Sequence, residues 1–206
     1  MDDIRKAFTP LINALNKIGK KDSLQSDEKK QLEQMLLQLS KDKESWLPDW
    51  AWETPREETV RTLYTAPNNG PIIHLITWQK NYQGCIHNHN TWGMVTCLHG
   101  RESSLAWTYD LCPIKKTNIV NLKSETECTP GGILHIDYDD IHSVNNHTDP
   151  SENNGTAISL HIYGANLEHT QRLKFDQNDH TSFANENTEF KNAELRLLNE
   201  DSLCQR

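Results

Sequence analysis

In the stretch Cys85-Ile86-His87-Asn88-His89-Asn90-Thr91-Trp92-Gly93, two histidines stand one residue apart between strand-like runs. Alternation along a strand sends residues i and i+2 to the same face. His87 and His89 therefore present two imidazoles to one side, a few ångströms apart. Neutral imidazole is the commonest protein metal ligand, so the pair can form two corners of a metal site.

Outward from this pair the pattern is β. Apolar and alternating runs at 72–78, 94–98, 104–109, 118–122, 133–138, 142–144 and 157–163 read as strands. Asn68-Asn69-Gly70, His99-Gly100, Pro130-Gly131-Gly132 and the polar run 145–155 punctuate them as turns. Many short strands separated in this way predict a sandwich or barrel. A third metal ligand must come from elsewhere in that fold, and His135, His142 and His147 are the candidates. The tight acidic turn Asp139-Asp140-Ile141 delivers His142 onto a new strand, which favours it. His135 sits inside an alternating strand and His147 in a polar loop. Glu102, just after Gly100-Arg101, is a carboxylate alternative. Three histidines without a carboxylate would leave a divalent ion its full charge and favour anionic ligands from outside, unlike the two-histidine, one-carboxylate triad of many non-haem iron oxygenases. Further on, Ser159, His161 and Tyr163 alternate with Leu160 and Ile162, so hydroxyl, imidazole and phenol share one strand face.

The first 46 residues read as helical. Ile4, Phe8, Leu11, Ile12, Leu15 and Ile18 fall on one stripe. Pro10 is expected to interrupt it, with Thr9 capping a helix that starts there. Ser26 is placed to cap a second helix with Asp27 and Glu28 in its first turn, and Leu32, Met35, Leu36 and Leu39 form its apolar face. Trp46, Trp50 and Trp52 lie in a proline-bounded strap expected to seal one end of the core. The expected organisation is a helical segment at 1–46 packed on a barrel at 47–177 that holds the metal site, then a polar tail at 178–206 with one short helix near 193–198.

The 206 residues carry a formal charge of −8, mean hydropathy is −0.77, and 35% of residues are hydrophobic. An acidic chain of this kind lacks the basic face a nucleic-acid binder needs. No run is long and apolar enough to span a bilayer. Five cysteines form no C-x-x-C pair, and Met1 is followed by Asp2 and Asp3 rather than a basic leader. No disulfide framework and a cytoplasmic location are the expectations.

His87-x-His89, Trp92-Gly93, Gly100, His142 and the Ser159-x-His161-x-Tyr163 line together resemble the thiol dioxygenases, the family of cysteine dioxygenase and 3-mercaptopropionate dioxygenase. The resemblance covers roughly residues 55 to 175. It implies a mainly β cupin, a double-stranded β-helix or jelly-roll barrel, here with N-terminal α-helices. It implies Fe(II) held by His87, His89 and His142, and oxidation of a small carboxylated thiol by O2 to its sulfinate. Ser159, His161 and Tyr163 then carry over as the catalytic line, with Tyr163 nearest the substrate. Arg61 matches the carboxylate-binding arginine of cysteine dioxygenases, and Arg172 the one of mercaptopropionate enzymes. Partners would be the thiol and O2, without nucleic acid or membrane, in a monomer or homodimer. The chain departs from the pattern at Asn88, where aspartate is usual, and at Gly93, where animal cysteine dioxygenases have the cysteine that cross-links to the tyrosine. Without that cysteine no thioether to Tyr163 is expected, Cys85 and Cys97 being poor substitutes. The loop at 147–156 is longer than usual. The rival readings are a non-catalytic metal- or ligand-binding cupin module and a cupin isomerase using another divalent metal.

Overall fold

The computed structural model describes residues 2–55, 58–112, 117–175 and 182–184. Three helices open the chain: α1 (Asp2–Ile18), α2 (Ser26–Lys41) and α3 (Lys43–Trp46). Pro10 does not break α1. It lies inside one continuous helix, whose Phe8, Leu11 and Leu15 are fully buried. Proline removes one intrahelical hydrogen bond, but packing of the apolar stripe outweighs that loss. The Thr9 hydroxyl, expected to cap a new helix, instead donates back to the Arg5 carbonyl at 2.8 Å. Gln25, not Ser26, occupies the cap of α2, and its backbone N–H donates to the Glu28 carboxylate at 2.8 Å. Trp46 packs edge-on against Phe8 with ring centroids 4.8 Å apart, and its indole N–H donates to the Leu39 carbonyl.

Among the described residues eleven strands follow: β1 (Thr59–Thr65), β2 (Ile72–Trp78), β3 (Ile86–Asn88), β4 (Gly93–His99), β5 (Glu102–Cys112), β6 (Thr117–Cys128), β7 (Ile133–Ile136), β8 (Ile141–Asn146), β9 (Ala157–Tyr163), β10 (Leu173–Phe175) and β11 (Ser182–Ala184). One sheet has the order β1-β2-β9-β4-β7, the other β11-β10-β3-β8-β5-β6. The central order β2-β9-β4-β7 faces β3-β8-β5-β6, so the chain repeatedly crosses between the sheets, and the described strands pair antiparallel with one another. That arrangement is the jelly roll of the cupins, the double-stranded β-helix. Gly100 turns β4 into β5 with φ +76°, and a Cβ there would meet the Thr148 hydroxyl at 2.3 Å.

Strand alternation divides the interior into two regions. Ile73 and Leu75 of β2, Met94 and Leu98 of β4, and Leu160 and Ile162 of β9 pack with the helices. His74, Ile76 and Trp78, and likewise His161 and Tyr163, point the other way, into a cavity inside the barrel. The helices are tied to β4 by Ser40, which donates to the Cys97 carbonyl, and by Lys43, which donates to that of Leu98. His135 of β7 lies 3.1 Å from the Glu33 carboxylate of α2. The expected tail includes the short strand β11, paired with β10. The helix expected near 193–198 lies outside the described residues. Among those described, no helix is long and apolar enough to cross a membrane.

Because Phe8 has no exposed surface, Phe8→Ala should cost roughly 3–5 kcal/mol in urea denaturation. A loss below about 1 kcal/mol would mean that the helical layer does not share the barrel's core.

Candidate metal centre

His87 lies on β3 directly opposite His142 of β8. His89 follows just beyond β3, and the chain reverses at Asn90 with φ +50°, a left-handed conformation asparagine tolerates. The register thus places all three imidazoles on one face. The Nε2 atoms of His87 and His89 are 3.2 Å apart, and those of His89 and His142 are 2.9 Å apart. The three residues form the one group of metal-binding type among the described residues. His135, His147 and Glu102 stand outside it. His147 instead sits 2.9 Å from the Ser103 hydroxyl.

The donor set fits a divalent cation. His87 Nδ1 is 3.0 Å from the Cys85 carbonyl. A carbonyl can only accept, so Nδ1 carries a proton and Nε2 is the nitrogen turned to the other two rings. Burial holds His89 and His142 well below the usual histidine range, helped by the neighbouring imidazoles, so both are neutral. Nitrogens about 2.1 Å from one ion and at right angles to each other stand about 3.0 Å apart, and at a tetrahedral angle about 3.4 Å. The observed spacings match corners of such a site.

Beside the trio runs a continuous hydrogen-bonded line. The Trp78 indole donates to Ser159 Oγ at 2.9 Å. Ser159 Oγ lies 2.8 Å from His161 Nε2, and His161 Nδ1 lies 3.0 Å from the Tyr163 hydroxyl. Burial pulls His161 down to about 3, so the ring is neutral and has one N–H. The line therefore has two settings. With the proton on Nδ1, Ser159 donates to Nε2 and the Tyr163 hydrogen is left for the cavity. With it on Nε2, Tyr163 donates inward to Nδ1. The Tyr163 ring lies against His89, centroids 4.5 Å apart. A Cβ on Gly93 would come within 2.8 Å of that ring, so only glycine leaves Tyr163 its place. The Cys97 thiol is engaged with the His99 carbonyl instead.

The two arginines part company. Arg172 is fully buried and lines the same cavity of about 50 Å³ as the histidine trio and Tyr163. Arg61 places its guanidinium 4.7 Å over the Trp50 ring and is absent from the cavity wall. Its neighbour Val60 takes the inward position, and alternation sends Arg61 to the opposite face. Arg172 is held by the segment that carries His87 and His89. The backbone N–H of Leu173 donates to Asn88 Oδ1 at 2.8 Å, and Asn90 Nδ2 donates to the Gln171 carbonyl at 2.7 Å. Asn88 Nδ2 in turn donates to Asn90 Oδ1 at 3.0 Å. The residues before and after Arg172 are thereby fastened to the segment that carries His87 and His89. The sequence does not single out several cavity residues, among them Glu58, Tyr82, Trp78, which starts the hydrogen-bonded line, and His74 in the apolar run 72–78. A lone polar residue on the inward phase of such a strand was the available signal.

No family model matches the chain. Among solved structures it is similar to an oxalate oxidase in complex with the substrate analogue glycolate, at TM-score 0.40 and 13% identity over 56% of this chain and 54% of that one. It is also similar to an uncharacterized conserved protein with a double-stranded beta-helix domain from Klebsiella pneumoniae, at TM-score 0.43 and 10% identity over 58% and 80%. A DMSP lyase from Ruegeria pomeroyi gives TM-score 0.39 and 11% identity over 56% and 50%. The match thus spans about half the length of the oxidase and the lyase. Strand order and site together define a cupin-type double-stranded β-helix with a three-histidine centre suited to a metal ion.

Glu102 is 1% exposed, and neither carboxyl oxygen has a hydrogen-bond partner. Burial pushes it up to about 7, against the pull of the Ser159 hydroxyl and the Trp78 indole, which are engaged with His161 and Ser159. An acid that holds its proton more tightly folded than unfolded stabilises the fold at low pH. That contribution is complete below pH 4.5 and is lost as pH rises to about 7. Glu102→Gln should therefore gain up to about 3 kcal/mol over the native chain between acid and pH 8. The buried histidines contribute in the opposite sense and cancel in the difference. Parallel urea titrations of the two proteins with pH check this, and a difference that stays flat removes the buried acid.

Proposed function

We propose that the protein is an Fe(II)-dependent thiol dioxygenase, taking a small carboxylated thiol, cysteine or 3-mercaptopropionate, to its sulfinate. The observation that carries this reading is the convergence of three imidazoles, one buried arginine and one relayed phenol on a single small cavity. The overall change is RSH + O2 → RSO2H. Both oxygen atoms end on sulfur, and no external reductant is needed. His87, His89 and His142 would hold the iron, which when bound supplies the site where thiolate and O2 meet.

The chain's own residues do the rest. Arg172 offers a fixed guanidinium to a carboxylate, which it can grip by two parallel hydrogen bonds. Its charge is undiluted by water, because the residue is fully buried. Tyr163, set by His161 and Ser159, presents a hydroxyl that donates or accepts according to the tautomer of the ring behind it. A cavity of about 50 Å³ limits the substrate to a few heavy atoms. Ile76, Trp78, Tyr82 and Val144 wall it and exclude water.

An oxygen electrode tests this with the iron-loaded protein and cysteine, 3-mercaptopropionate and cysteamine in turn, the sulfinate being identified by NMR. O2 uptake with a carboxylated thiol and its loss in His87→Ala are expected. Tightly held zinc, and no uptake with any thiol after iron loading, would end the proposal. Arg172→Ala should lower kcat/KM for carboxylated thiols by roughly 10- to 100-fold while sparing cysteamine. Asn88→Ala, which unfastens Leu173, should raise KM for the same substrates by a smaller factor and leave kcat nearly unchanged.

A further inference from the structure

Glu102 is a buried acid without a part in the chemistry proposed above. It opens β5 just after the turn at Gly100, opposite Cys128 of β6 and Asn146 of β8. It is 1% exposed, and neither carboxyl oxygen completes a hydrogen bond. An uncharged side chain would fill that place without the cost of burying an ionisable group. Burial disfavours its charge, while the Ser159 hydroxyl of β9 and the Trp78 indole of β2 favour it. Those two groups form the inner end of the line that runs through His161 to Tyr163. Across a nook of about 10 Å³ stand Ser104, His142 and His161. The thiols of Cys97 on β4 and Cys128 on β6 also lie close enough to feel its charge. Burial first, and Glu102 second, push both thiols up, so they stay protonated and bring no charge of their own.

We infer that Glu102 is a positioning residue, a buried proton store that exchanges its proton with the cavity through Ser159, His161 and Tyr163 and so sets which way the Tyr163 hydrogen points. His161 is neutral and has one N–H, so the line has two consistent arrangements. With Glu102 protonated, its O–H donates to Ser159 Oγ and Ser159 donates to His161 Nε2. His161 Nδ1–H then donates to the Tyr163 oxygen, and the Tyr163 hydrogen turns to the cavity. Ser159 Oγ accepts from Trp78 and Glu102 together, which its two lone pairs allow. With Glu102 ionised, Ser159 donates to the carboxylate, His161 donates from Nε2 to Ser159, and Tyr163 donates to Nδ1. One arrangement becomes the other when each group hands a hydrogen one place along. Glu102 gives to Ser159, Ser159 to His161, His161 to Tyr163, and Tyr163 releases one proton to the cavity. No bond between heavy atoms changes, and the proton released equals the one Glu102 gives up. Burial pushes Glu102 up to about 7, so both arrangements are populated near neutrality. A thiol that binds as its thiolate must shed one proton, and the ionised store can take it. That last use rests on the thiol-oxidation reading above; the coupling of Glu102 to the line does not.

The test reads the tautomer of His161 in zinc-loaded protein, where the metal fixes the protonation of the trio and no turnover occurs. Nitrogen NMR of histidine-labelled protein tells a protonated ring nitrogen from a bare one. The native chain should carry the His161 hydrogen on Nδ1 at about pH 5.5 and on Nε2 at about pH 8.5. The midpoint should fall near the Glu102 value of about 7. Glu102→Gln and Glu102→Leu should show one unchanging tautomer across that range. So should Ser159→Ala, which cuts the line and leaves Glu102 in place. A native tautomer that does not move, or one that moves equally in Glu102→Gln, overturns the inference. Should the Leu variant fail to fold, the isosteric Gln variant decides. In iron-loaded protein, kcat for a carboxylated thiol should change with pH around the same midpoint. Glu102→Gln should lose that dependence and about tenfold in kcat, with KM within about twofold of native. If His161 shifts as stated yet the iron-loaded protein oxidises no thiol, the dioxygenase proposal falls and the proton store remains.

Discussion

The pairing of β3 with β8, which sets His87 opposite His142, is the interaction on which the site depends. The two residues are far apart in the chain, and only this register brings them together. A slip of one residue would turn His142 to the other face and dissolve the trio. Three residues of strand are too few to secure a register alone. β3 is held on both sides, by β8 and by β10. Gly84 reinforces it, donating its N–H to the Val144 carbonyl at 2.7 Å just upstream. The same short strand carries Asn88, whose amide fastens the segment bearing Arg172. His87 of the trio and the segment bearing Arg172 are therefore positioned by one element.

Electrostatically, the barrel interior is a buried space, four of whose histidines are kept neutral by burial. His74, His89, His142 and His161 are all pushed down, with burial the largest cause in each. Neutral imidazoles are the form that can bind a cation, and a neutral His161 can pass a hydrogen bond in either direction. Among the cavity groups discussed, Arg172 brings the permanent positive charge. The histidine trio itself contains no carboxylate, while Glu58 and Arg172 both line the cavity beside it. Burial raises Glu102 to about 7, so its negative charge is only partly developed at neutral pH.

Much of this was legible because it follows local rules. His87 and His89 share a face by strand period. The turns at Gly100 and Gly131 fall where the sequence punctuates. The line Ser159-His161-Tyr163 needs only alternation. The strand order of the barrel is another matter, because spacing does not say which strand pairs with which, and the resemblance carried that reading. β3, β10 and β11 have three residues each and show no period of their own. β6 runs well past the expected 118–122 because residues 121–127 are exposed on both faces, leaving no apolar phase to read. Pro10 misled because proline counts against a helix locally, while the stripe that holds α1 together is tertiary. Arg61 and Arg172 could have been separated on Val60 alone, since an inward valine sends its neighbour outward.

A barrel that carries five histidines, an arginine and two glutamates on its inner walls forgoes apolar burial there, and each such group costs stability unless it is bonded. The outer layer supplies what the inner one lacks. On β2, β4 and β9 the side chains facing the helices are Ile73, Leu75, Met94, Leu98, Leu160 and Ile162, all buried against α1 and α2. The same strands thus serve two requirements through one periodicity: odd and even positions divide cohesion from chemistry. This explains why the N-terminal helices belong to the functional unit although none of their residues lines the cavity. Without them the sheet that holds His74, His161 and Tyr163 would expose its apolar face to water. Its polar inner face would then have no surplus of burial to hold it in place.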